Sequence, residues 1–165
     1  MSDHLKQIKL VLNLIWLSFC LAVGGYWVVH LMAAQIGGGP LLAKRIGYVM
    51  FGLALVDVFF GWAWHRWNVN RVSNMITPTR FSRMSPQERK QLQYSLQTSV
   101  IVCLSFFEAI AVYGLVLGLI GCPIPYAFET LAGLGLLMLI LYRIQGYHEV
   151  FDLMERLDTR RPVLQ

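Results

Sequence analysis

The sequence is short of charged residues. Aspartate, glutamate, lysine and arginine make up 14% of its 165 residues, and hydrophobic residues make up 56%. About a quarter of the residues in an ordinary soluble domain carry a charge. A chain with so few charged side chains lacks the polar surface that a water-soluble fold requires. This composition excludes an ordinary soluble domain.

The sequence is also poor in the patterns that mark metal sites and enzymes. Its three cysteines, Cys20, Cys103 and Cys122, have neither zinc-site spacing nor the even number of a disulfide framework. We find no nucleophile beside a base and no histidine pair placed to ligate haem. We therefore expect no metal, no cofactor and no enzymatic activity. The net charge of +5 fits orientation in a membrane better than binding to nucleic acid, so we expect no nucleic-acid partner.

The apolar residues occur in four long blocks, each of roughly the 20 residues that a helix needs to cross a bilayer. They predict an all-α protein, a bundle of four transmembrane helices built from two helical hairpins, with the whole chain 1–165 as a single domain. The first block is longer than the apolar core of a signal peptide, so we interpret it as a retained anchor. The four predicted spans are about 10–34, 46–64, 98–120 and 127–142.

The segments outside these blocks are polar. We predict a turn with three glycines at 37–39, a loop over 65–97 with a break at Thr77-Pro78, and a C-terminal extension over 143–165. The extension is amphipathic, because apolar side chains and charged side chains alternate with helical spacing. It suits a cytoplasmic extension or a segment on the membrane surface. The apolar set is Val150, Phe151 and Met154, and the charged set is Glu149, Asp152, Glu155 and Arg156.

Lysine and arginine are distributed unevenly between the two sides of the predicted membrane. Two precede the first span, six lie between the second and third spans, and four follow the fourth. The remaining two, Lys44 and Arg45, lie between the first and second spans, and none lies between the third and fourth. Cytoplasmic loops carry the excess of positive residues. We therefore expect both termini in the cytoplasm and the protein in the plasma (inner) membrane.

Two carboxyl groups lie within the predicted spans. The third helix has a start signature at Ser85, Pro86 and Glu88, and Glu108 lies about 16 Å inward from Gln97. Asp57 lies about 13 Å inward from Arg66, at a similar depth. Two adjacent carboxyls could share a proton or hold a cation between them. Alternatively, Asp57 points elsewhere and is satisfied by a tyrosine, a tryptophan or the backbone.

Small residues and one histidine complete the candidate features. Gly114 and Gly118 form a GxxxG motif, and Gly133 and Gly135 lie in the fourth span. Such residues permit close approach of another helix, so we expect all four glycines to serve helix packing. His30, near the outer end of the first span, is either a proton relay or, as we prefer, a hydrogen-bonding residue at the interface.

The segment around Glu108 resembles a known family. Residues 107–117 read FEAIAVYGLVL, after a basic segment that contains Arg83 and Pro86. This pattern is similar to the ion-carrying helix of the proteolipid c subunit of rotary ATPases, and the resemblance covers about residues 83–120. The resemblance implies that the Glu108 carboxyl binds the transported ion and that the Tyr113 hydroxyl hydrogen-bonds this carboxyl. Sodium-binding members have a hydroxyl residue directly after the glutamate, where this chain has Ala109, so the implied ion is a proton.

Two functions follow as expectations. The first is a membrane subunit that binds or translocates protons through Glu108, with Asp57 and Tyr113 adjusting its affinity. The alternative is a non-catalytic structural or assembly subunit of a larger membrane complex. In both cases the partners are the lipid bilayer and either other membrane subunits or further copies of the chain.

Overall fold

The computed structural model describes residues 3–33, 40–76, 81 and 83–159, and this part of the chain is helical apart from its connections. The predicted glycine turn at 37–39 and the Thr77-Pro78 break lie outside the described residues. The helices are α1 (Asp3–Ala33), α2 (Pro40–Met75), α3 (Pro86–Leu119), α4 (Ala127–Ile144) and α5 (Gly146–Thr159).

Four segments are long and apolar enough to cross a membrane, so the protein is a multi-pass membrane protein and the predicted fold class is confirmed. Large apolar side chains cover its outer surface: Leu21, Leu55 and Phe59 are 67–68% exposed. Such exposure is unfavourable in water and natural in lipid. Four crossings return a chain to its starting side, so Asp3 and Thr159 lie at the same end as the α2–α3 connection. We call this the α2–α3 end. The segments are Leu5–Val28, Ala43–Met75, Pro86–Leu119 and Ala127–Asp158.

Helix α3 is the centre of the bundle. In its most apolar stretch 44% of the residues are buried, against 11% in α1 and 17% in α2. It packs against α1, α2 and α4. Its buried residues include Cys103, Phe107, Ala111 and Gly114, which recur at intervals of three or four and so follow one side of the helix. Because α3 also contacts α5, its side chains reach four different neighbours, and this determines which residues meet.

A capping box begins α3, as the sequence predicted. Ser85 is extended (φ −68°, ψ 155°), its hydroxyl accepts from the Glu88 backbone N–H at 3.2 Å, and the Glu88 carboxylate accepts from the Ser85 N–H at 2.7 Å. Pro86 occupies the first helical position, where its missing N–H leaves no hydrogen bond unmade.

Replacing Ser85 with alanine should lower the free energy of unfolding by about 1 kcal/mol, because an N–H of the first turn loses its acceptor. The measurement is denaturant unfolding in detergent micelles. Ser105→Ala is the matched control, since the Ser105 hydroxyl only bonds back to the Ile101 carbonyl of its own helix at 3.0 Å. An equal loss in both variants would contradict the capping role.

The predicted loop over 65–97 is helical at both ends. Helix α3 begins at Pro86, as its start signature predicted, whereas the continuation of α2 to Met75 was not predicted. The composition beyond Trp64 is polar, but His65, Asn68, Val72 and Ile76 are all buried and recur every three or four residues. This buried stripe keeps the segment helical against the rest of the bundle.

Helix α5 packs on the bundle. Tyr147, Val150, Met154 and Leu157 are at most 2% exposed and form one helical face. The Tyr147 hydroxyl donates to the Leu12 carbonyl of α1 at 2.7 Å. The charged residues expected on the other face are exposed there. The amphipathic pattern was therefore interpreted correctly, and the bundle itself covers its apolar side.

Candidate functional site

Glu108 lies at the contact between α3 and α1. It is half-buried, and its Oε1 accepts a hydrogen bond from the Tyr26 hydroxyl at 2.8 Å. Tyr26 belongs to the side of α1 that carries Leu12 and Val23, both buried, and so faces the bundle. The Tyr26 hydroxyl, on the buried side of α1, therefore contacts the Glu108 carboxyl of α3.

Asp57 forms a second pair of the same kind at the contact between α3 and α2. The Tyr113 hydroxyl donates to Asp57 Oδ2 at 2.7 Å, and both residues are half-buried. They line a groove of about 340 Å³ together with Val102, Ser105, Phe106 and Ala109. This second pair is reachable from the outer surface of the bundle through that groove.

The two carboxyls lie at one depth but on different sides of α3. The Cys103 thiol donates to the Gly61 carbonyl at 3.3 Å, so these two residues lie at the same level. Because α2 and α3 run in opposite directions, Asp57, four residues before Gly61, lies at the level of Phe107, four residues after Cys103. Phe107 directly precedes Glu108 in the chain. Five residues turn a helix by about 140° beyond a full circle, so Glu108 and Tyr113 point to different neighbours. The expected depth holds, but Asp57 and Glu108 are not hydrogen-bonded to each other. The alternative, a tyrosine partner for Asp57, is what the structure shows.

The Glu108 contact also differs from the one that the family resemblance implied. Its hydroxyl partner is Tyr26, whereas Tyr113 is bound to Asp57. Tyr26 was not among the residues expected from the sequence at this site. The available signal was its spacing: residues 12, 15, 19, 23 and 26 form one face of α1, and Tyr26 places a hydroxyl on that otherwise apolar face.

Both pairs are free of nearby cations among the residues that the structure describes, since neither carboxyl takes part in an ion pair there. Each site offers one carboxyl and one hydroxyl. Hard metal cations require about six oxygen ligands, while a carboxylic acid needs a single acceptor. No group of three potential metal ligands occurs in the described ranges. The chemistry that these residues can support is binding and release of a proton.

A third polar cluster joins α2, α4 and α5. His65 is 1% exposed; its Nδ1 lies 3.2 Å from the Tyr142 hydroxyl and its Nε2 3.2 Å from Glu149 Oε2. The Glu149 carboxylate also pairs with Arg66 at 3.6 Å. The sequence gave no signal for this cluster, because Tyr142 and Glu149 are distant in the chain from His65.

Three of the four expected packing glycines are at helix contacts. A Cβ at Gly114 would lie 2.9 Å from the Phe128 carbonyl oxygen, and one at Gly135 would lie 2.9 Å from that of Phe107. These two glycines therefore let the α3 and α4 backbones touch. A Cβ at Gly118 would collide with the His30 ring of α1. Gly133 is different: a Cβ there would meet no atom of the described residues within 4 Å, so it lies at no close helix contact among them, and its role in helix packing stays a prediction.

His30 stacks on Phe128 of α4, with 4.0 Å between ring centroids and 20° between planes. Its Nδ1 has no hydrogen-bond partner within the described part of the chain. The hydrogen bond expected of His30 is therefore not made by Nδ1 among the described residues.

No protein-family model, no curated protein and no solved structure matches this chain. The fold and the sites define it as an all-helical, multi-pass membrane protein with two carboxyl–tyrosine pairs at one depth.

Proposed function

We propose that the protein is a non-enzymatic membrane subunit that binds and releases a proton at Glu108, in the manner of a divergent proteolipid c subunit. The observation that carries this proposal is the Tyr26–Glu108 hydrogen bond of 2.8 Å within a membrane-spanning segment, in the absence of any ion-pair partner for Glu108 among the described residues.

The energetics of the site favour a proton as the bound ion. A charged side chain in the bilayer core costs at least about 2.5 kcal/mol, so a carboxyl without a cation is more stable when protonated. A single hydroxyl can donate to the carboxylate and, after rotation, accept from the carboxylic acid. Tyr26 therefore serves both protonation states of Glu108.

The Asp57–Tyr113 pair supplies a second proton-binding group at the same level. Gain or loss of a proton at Asp57 changes the electrostatic potential at Glu108, because interactions between charges are weakly screened in hydrocarbon. In this proposal Asp57 adjusts the proton affinity of Glu108 from the other side of α3. Both termini face the cytoplasm of the plasma (inner) membrane, in agreement with the distribution of lysine and arginine.

Carbodiimide labelling tests the proposal, because the reagent modifies protonated carboxyls in apolar surroundings. In lipid vesicles at pH 6–8, we expect modification of Glu108 and its complete loss in Glu108→Gln, with proton flux across the vesicle membrane lost in the same variant. Asp57→Asn is the control that keeps Glu108, and it should retain labelling at that residue. Unmodified Glu108 throughout this pH range, together with unchanged proton flux in Glu108→Gln, would refute the proposal.

A second candidate is a structural or assembly subunit of a membrane complex. It is favoured by four glycines at which an added Cβ would meet no atom of the described residues within 4 Å, namely Gly24, Gly25, Gly52 and Gly133. Small residues on an outer surface allow a helix of another subunit, or of a second copy, to approach closely. Native mass spectrometry separates these outcomes, since a ring of identical copies supports the relationship to the proteolipid and one copy among unlike subunits supports assembly.

A further inference from the structure

A cavity of about 520 Å³ opens along α2 at the α2–α3 end of the bundle. Its wall changes from apolar to charged along the helix. Leu55, Val58 and Phe59 form the apolar part, and His65, Arg66 and Glu149 form the other end. A ligand that matches both parts of the wall is amphiphilic, with an apolar chain and a charged head.

The length of the cavity wall matches half a bilayer. From Leu55 to Arg66 there are eleven residues, which span about 16 Å of helix. Half of the hydrocarbon core measures about 15 Å. Trp64 and Trp67, which are 38% and 54% exposed, flank the charged end, and such aromatic residues concentrate at headgroup level. An acyl chain on Leu55 and Phe59 would therefore place its headgroup beside Arg66.

The charged end offers one cation and one anion to a ligand. The Arg66 side chain is 72% exposed, and its Nη1 lies 3.6 Å from Glu149 Oε1. Glu149 is 44% exposed, and its other oxygen lies 3.2 Å from the buried His65 ring. Guanidinium binds phosphate in a two-pronged geometry, and the carboxylate can accept from an ammonium group.

We propose that this cavity binds a membrane glycerophospholipid with a primary-amine headgroup of the phosphatidylethanolamine class. The phosphate contacts Arg66, the ammonium group contacts Glu149, and one acyl chain lies along Leu55, Val58 and Phe59. An anionic headgroup without an amine would be repelled by Glu149. A quaternary ammonium has no N–H to donate. The site is separate from Glu108, so it does not depend on the proposed proton chemistry.

Native mass spectrometry of protein released from vesicles tests the proposal. With equal amounts of phosphatidylethanolamine, phosphatidylglycerol and phosphatidylcholine, we expect the ethanolamine lipid to be retained several-fold over the other two. Arg66→Gln should reduce its retention about tenfold, because a charge-assisted contact is lost. Arg71→Gln is the matched control, since Arg71 stacks on Trp67 at 5.5 Å and does not line the cavity.

Further variants assign the two contacts separately. Glu149→Gln should keep the lipid but lose the preference for ethanolamine over choline. Helix content and thermal melting in micelles verify that each variant is folded. Equal retention of all three lipids by the wild type, or an equal loss in Arg66→Gln and Arg71→Gln, would overturn the proposal. So would competition by glycerophosphoethanolamine as strong as that by the intact lipid, because the acyl chain would then contribute nothing.

Discussion

Gly135→Ala should lower the free energy of unfolding by about 1–3 kcal/mol, the range expected when an extra methyl group is forced into a packed interface. The new Cβ would lie 2.9 Å from the Phe107 carbonyl oxygen and 3.0 Å from the Ala111 nitrogen. Both are backbone atoms of α3, so rotation of a side chain cannot relieve the contact. The α3–α4 pair would have to separate, with loss of the close approach around Phe107. Denaturant unfolding in micelles measures this effect.

The control lies two residues away on the same helix. Among the residues that the structure describes, no atom lies within 4 Å of a Cβ at Gly133. Gly133→Ala should therefore leave stability unchanged or raise it by up to about 1 kcal/mol, because alanine is the better helix former. Both variants add one methyl group to a glycine of α4, and they differ only in the surroundings of that methyl group. Equal effects at the two positions, in either direction, would contradict the packing that the structure gives for α3 and α4.

The helices themselves could be predicted from sequence because their causes are local. A run of twenty apolar residues determines a membrane span, and the Ser85–Glu88 capping box determines where α3 begins. The amphipathic pattern of α5 is local as well. The length of α2 beyond Trp64 was not predictable from composition, since a polar segment stays helical only if its buried stripe has something to pack against.

The contacts between helices were harder to predict from the sequence, because they depend on how each helix is rotated about its axis. Gly133 and Gly135 look alike in sequence, yet a rotation of about 200° separates them, and only Gly135 faces α3. The same limit applies to the carboxyls. Depth follows from counting residues, so Asp57 and Glu108 were correctly placed at one level. Their partners follow from rotation, and the spacing that places Tyr26 on the apolar face of α1 does not by itself decide between Tyr26 and Tyr113 as the partner of Glu108.

Tyr26→Phe should change the carbodiimide reactivity of Glu108, whereas Tyr113→Phe should not. The Tyr26 hydroxyl donates to Glu108 Oε1 at 2.8 Å and thereby stabilises the carboxylate. Its removal favours the protonated, reactive form. A hydrogen bond to the carboxylate contributes roughly 1.5–3 kcal/mol and one to the neutral acid about 1 kcal/mol. Loss of the hydroxyl therefore costs the charged form more by about 1 kcal/mol, and labelling at Glu108 should accelerate about fivefold at a pH where the carboxylate is populated. Mass spectrometry of the labelled peptide over time gives the rate.

Tyr113→Phe is a matched control, because it also removes one tyrosine hydroxyl, here from α3, and leaves the aromatic ring in place. Its donor is bound to Asp57 at 2.7 Å, so any acceleration should appear at Asp57. The family resemblance makes the opposite prediction, since it assigns Tyr113 to Glu108. A faster reaction of Glu108 in Tyr113→Phe, with no change in Tyr26→Phe, would therefore restore the contact implied by the resemblance. It would also mean that α3 is rotated in the membrane relative to this structure.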